Sequence, residues 1–177
     1  MFLLFVVLFA DAKAQNNDQL VSFEGIGKLY IGMSKAELEK LLKIKIVLKH
    51  IHVDEIYVET VQAKYMGADV EISLFRSDDN KVAIVDGIST TSPLFKTAEG
   101  FGVGSDQLAI INKFEDQLLI IGPAYEFEGP DATLSKTKTW ITLAKIDSYH
   151  ESILFTIVNK KVVAIKVEPT AEFRDRE

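Results

Sequence analysis

The chain contains no cysteine. That absence removes disulfides, thiolate metal sites and a cysteine nucleophile together. It also removes the acylation site of a lipoprotein, so no membrane anchor is expected on this chain. Stability must come from packing alone. Basic charge is scarce as well: 20 Lys and Arg stand against 26 Asp and Glu, a net charge of −6. No basic footprint for nucleic acid exists, and no nucleic-acid partner is expected. The G-x-S-x-G of a hydrolase nucleophile is missing.

Two further motifs are incomplete. "GFGVGS" at 100–105 places close glycines before a helix start but lacks the lysine of a P-loop. It reads as a tight turn. Ser135-Lys136-Thr137-Lys138 matches S-x-x-K without the K-T-G partner that the chemistry requires. No catalytic residue and no cofactor is assigned.

The 177 residues suffice for one domain or two small intimate ones, at an ordinary 47% hydrophobic and 26% charged. The start, MFLLFVVLFA, is almost wholly apolar and precedes an A-x-A site at Ala12-Lys13-Ala14. Residues 1–14 are therefore expected to be a signal peptide, with the mature chain exported to the periplasm or the medium. The apolar run is too short to span a bilayer, which takes roughly 20 residues. The alternative is a buried N-terminal strand. The polar stretch that follows predicts a disordered mature terminus over 15–23.

Helix and strand signals then alternate. Ser34-Lys35-Ala36-Glu37 is a capping box, and Leu38, Leu41 and Leu42 follow as one buried stripe. A second glycine turn leads to Ser105 or Asp106 as cap, with Leu108, Ile111 and Phe114 as stripe and Ile110 beside them. Strands are expected over 55–65, 68–75, 81–90, 138–146, 151–159 and 160–169. Val70, Ile72 and Leu74 should share a face. Hairpin turns are expected at 77–80 and at Asn159-Lys160. Lys81–Val85 corresponds to Lys161–Ile165, and Gly32 to Gly104. The segment 122–137, dense in Gly, Pro and Asp, reads as a loop.

These signals predict an α+β fold: two tandem repeats, each a helix plus a three-stranded antiparallel meander, over 24–95 and 96–169, with a tail at 170–177. Two such units bury far more apolar surface together than one alone. The run from Ile31 to Leu42, with G-x-S-x-x-E-L at Gly32, Ser34, Glu37 and Leu38, resembles the helix start of the small outer-membrane-assembly lipoproteins of the SmpA/OmlA (BamE) type. A tandem pair of such modules is similar to the fold of the secreted β-lactamase inhibitory protein. The resemblance implies protein partners in the bacterial envelope. The chain departs from both groups, having neither a lipidated cysteine nor disulfides.

Two clusters could carry function. On a strand, His50, His52 and Asp54 of "HIHVDE" would point to one side, where a metal-dependent binder or enzyme could place its ligands. Otherwise they form a polar strand face or loop, and no metal is assigned. Tyr125, Phe127, Trp140 and Tyr149 gather in the second half and could anchor a protein partner or a small ligand. The alternative places Trp140 in the core under a covering loop. The leading expectation is an exported, non-catalytic interaction module, of an oligomeric state the sequence leaves open.

Overall fold

The computed structural model describes residues 17–48, 57–76, 83–128, 131–144 and 151–169, with backbone alone at 57, 76, 125–128, 131–133 and 136. The fold is mostly β. A 3₁₀ turn at Asn17–Gln19 leads to β1 (Leu20–Ser22), β2 (Gly25–Ile26) and β3 (Leu29–Tyr30). Helix α1 (Lys35–Leu42) precedes β4 (Tyr57–Tyr65), β5 (Ala68–Arg76), β6 (Ile84–Thr90) and β7 (Lys96–Thr97). Helix α2 (Gln107–Lys113) precedes β8 (Leu118–Glu128), β9 (Asp131–Ala144), β10 (Ser152–Val158) and β11 (Lys161–Glu168).

The strands form two sheets. The small one runs β3-β2-β1-β7, with β1 and β7 parallel. The large one has seven strands in the order β4-β5-β6-β11-β10-β9-β8. The expected α+β pair of helix-plus-meander repeats is thereby corrected. One continuous antiparallel sheet replaces two three-stranded meanders, because β6 pairs with β11 through Ile165–Thr90, Lys166–Ser89 and Val167–Ile88. Three of its strands follow α1 and four follow α2, so the halves are not copies.

Two local readings are corrected with it. Residues 17–22, expected in a disordered terminus, form a 3₁₀ turn and strand β1 of the small sheet. Its turn at Gly27 has φ 60°, and a Cβ there would meet the Asp18 carbonyl oxygen at 2.2 Å. The segment 122–137, taken as a loop, supplies parts of β8 and β9. Pro123 fits because β8 lies at the sheet edge, where a missing N–H breaks no central ladder. The ladder is interrupted next to it, by a register shift between Pro123 and Tyr125.

Two register rows cross all seven strands and show what each face is for. Val61, Ile72, Ile88, Val167, Ile153, Leu143 and Leu119 form the inner row. Its five central members are essentially buried. The adjacent outer row is Gln62, Glu71, Ser89, Lys166, Leu154, Thr142 and Ile120. Period-two alternation thus gives the sheet one apolar face. Onto that face pack Leu38 of α1, Ile110 of α2 and its C-cap Phe114, and Val21, Ile26, Leu29 and Phe95 from the small sheet and its connection. They form one core.

The two helix starts dock alike. Val85 N–H donates to the Met33 carbonyl at 2.8 Å and its carbonyl accepts from Gly32 N–H at 2.7 Å. Val162 does the same with Ser105 at 3.0 Å and Gly104 at 2.8 Å. Val85 therefore answers to Val162 and not to Ile165. The capping box is formed: Ser34 Oγ accepts from Glu37 N–H, and Ser34 N–H donates to the Glu37 carboxylate at 2.9 Å. In α2 the cap is Asp106, not Ser105. Its stripe is also shifted: Ile110 is fully buried, whereas Leu108 is 61% exposed.

Candidate interaction surface

The outer face of the large sheet is graded. At the β4–β5 end, directly opposed polar pairs close across the strands. Gln62 Nε2 donates to Glu71 at 2.6 Å and Lys64 Nζ to Asp69 at 2.7 Å. At the β8–β10 end the same face carries Ile120, Trp140, Thr142, Leu154 and Thr156. Ile120 is 47% exposed and Leu118 39% exposed.

Trp140 is the fixed point of this surface. It alternates with buried Ile141 along β9 and so lies on the outer face, half-buried. Its partner across the ladder is Gly122. A Cβ on Gly122 would stand 2.6 Å from Trp140 Cζ2, so the indole occupies the space that only glycine leaves open. Its Nε1–H donates to the Pro123 carbonyl at 3.0 Å. The Gly-Pro pair that suggested a loop is a seat for this ring.

The other expected residues fare differently. Tyr125 and Phe127 lie on the backbone of β8, not in a loop. Tyr149, His50, His52 and Asp54 lie outside the described residues, as do the 77–80 turn and the 1–14 segment. Among the described residues no three His, Asp or Glu gather in a metal-like cluster.

Ser135 is buried, and its Oγ accepts the backbone N–H of Lys138 at 3.0 Å and of Thr137 at 3.3 Å. It shapes the irregular stretch of β9. The glycines of 100–105 form a turn, with Gly100 at φ 87° and Gly104 at φ 92°. The Asp106 carboxylate already occupies the α2 start, accepting from Leu108 N–H at 2.9 Å. That N–H, with Lys161 nearby, holds its pKa below the usual carboxylate value. A bound anion there would meet this charge.

A groove of about 190 Å³ lies between β1, β7, the end of α2 and the sheet, lined by Val21, Phe23, Glu99, Phe114, Leu143 and Ile153. It is smaller than ordinary small-molecule sites, which run from about 300 Å³ upward.

Sequence reasoning missed Leu118, Ile120 and Ile121. The signal was present: residues 117–124, QLLIIGPA, carry no charge. No family model, no curated protein and no solved structure matches the chain.

Proposed function

We propose that the chain is an exported, non-catalytic protein-interaction module of the bacterial envelope, with the outer face of β8–β10 as its contact surface. The observation that carries this reading is Trp140, seated on Gly122 and tied to the Pro123 carbonyl, among Ile120, Leu154 and Leu118. An aromatic side chain already fixed loses little entropy on binding, and such residues dominate protein interfaces. The polar β4–β5 end would lie at the rim. Export is supported by the apolar start ahead of Ala12-Lys13-Ala14.

The test is capture from envelope extract with the tagged protein, in parallel with Trp140→Ala and Leu154→Lys. A specific protein recovered by the parent chain and lost from both variants supports the reading. Capture that both folded variants retain overturns it.

A further inference from the structure

β8 is the last strand of the large sheet, and among the described residues no strand pairs with its free edge. Pro123 decides which backbone groups that edge presents. It is paired with Thr139, yet proline has no N–H, so this pair exchanges no ladder bonds. The bonds to β9 then fall on Gly122, Ile120 and Leu118. The N–H and C=O of Leu119 and Ile121 point away from the sheet.

We infer that this edge pairs antiparallel with the same edge of a second copy, about a two-fold axis through Ile120. Register selects the axis. About Ile120, Leu119 of each copy meets Ile121 of the other, and both pairs exchange N–H···O=C bonds completely. About Ile121, Leu119 would meet Pro123, which cannot donate. About Leu119, Ile121 would meet Gln117, whose N–H is already given to the Phe114 carbonyl at 2.9 Å. About Ile120, Pro123 falls opposite Gln117, outside the paired strand. An axis between two residues would set the outer side chains of one copy against the inner ones of the other.

The side chains agree with that register. Leu118, Ile120 and Ile121 are 39%, 47% and 46% exposed, which is unusual for one end of an edge strand, the uncharged stretch before Glu126. The inferred axis covers all of them. Ile120 packs on itself across the axis. Ile121 joins Leu119 in extending the inner apolar row. Leu118 falls beside Gly122 of the second copy, where the indole supplies the apolar wall.

Charge points the same way. Two copies of net charge −6 repel, so a contact is least opposed along a stretch without charge, here the one between Asp116 and Glu126. The opposite edge, β4, carries Glu59 and Lys64 and is guarded in the usual manner of edge strands.

This inference shares Leu118, Ile120 and the Trp140 indole with the outer-face reading, but it rests on the β8 edge and needs no other protein. Self-association of purified protein tests it, whereas extract capture tests the other. The lack of native cysteine makes single-cysteine variants clean reporters. Across the axis the two residue-120 Cα atoms would lie about 4.5 Å apart, within disulfide range. Ile120→Cys should therefore form a covalent dimer under mild oxidation, and Leu118→Cys, four residues off register, should not. In sedimentation velocity the parent chain should move from monomer to dimer with concentration, more readily in high salt as repulsion is screened. Ile120→Lys should weaken this by about tenfold or more. A parent chain that stays monomeric at its highest soluble concentration overturns the inference. So does equal crosslinking from residues 118 and 120.

Discussion

The indole of Trp140 fills the space that a side chain at Gly122 would need, and Pro123 receives its N–H at 3.0 Å. Any side chain at 122 must expel the ring or push β8 from β9. We expect Gly122→Val to cost about 1–3 kcal/mol, the range of overpacked sites. Trp140 is the only tryptophan, so its fluorescence reports the event directly. Emission should shift to longer wavelength as the ring moves into water. An unshifted spectrum with unchanged stability would refute the packing described.

A second expectation concerns how the small sheet is attached. Tyr65 is 7% exposed, stacks on Phe95 with centroids 6.0 Å apart, and accepts the Lys28 backbone N–H at 2.9 Å. Tyr65→Phe keeps the stack and removes only the acceptor. It should cost on the order of 1 kcal/mol, because the amide loses its partner at a half-wet site. Tyr65→Ala removes the stack too and should cost about 3–5 kcal/mol. Urea melts of both variants check the difference, and equal losses would count against the hydrogen bond.

Acid should loosen both ends of α1 and the start of α2 in a defined direction. Glu37 is held below the usual carboxylate value, first by the Ser34 hydroxyl, then by the Ser34 N–H and Tyr30. Glu39 is lowered first by Lys35 and then by the Ile46 N–H. Asp106 is lowered too. Each binds protons more weakly folded than unfolded. Their contribution is therefore complete above the ordinary carboxylate range and is lost as pH falls through the lowered folded values. Ser34→Ala should cost about 1 kcal/mol at pH 7. It should also shrink the acid-induced fall in urea midpoint between neutral pH and pH 3. An identical fall in parent and variant would show that the capping box does not titrate as argued.

Much of the local structure was legible because it depends on local chemistry. Ser34 and Glu37 are three residues apart and find each other without help from the fold. Asn159 and Lys160, at φ 49° and 64°, form the tight turn their position suggested. Val70, Ile72 and Leu74 alternate inward and are all buried. What failed depended on distant partners. Pro123 and Gly122 read as loop residues until β8 is known to be an edge strand facing Trp140. The pairing of β6 with β11 joins residues some 75 positions apart, and no local pattern announces it. Local sequence alone does not decide between core and surface for Trp140. The answer lies in its parity with buried Ile141, which only the observed register of β9 supplies.

The corrected α2 stripe yields the last expectation. Leu108 and Ile110 are neighbours of similar size on one short helix, yet Leu108 is 61% exposed and Ile110 is fully buried. Ile110 packs into the core together with Phe114, whose ring lies 5.6 Å from that of Phe101. Ile110→Ala leaves a cavity under α2 and should cost about 2–5 kcal/mol. Leu108→Ala removes a side chain already in water and replaces it with the best helix former. It should stay within about 0.5 kcal/mol of the parent. Thermal melts of the two variants separate the shifted stripe from the one the sequence suggested, in which Leu108 would be the costlier loss.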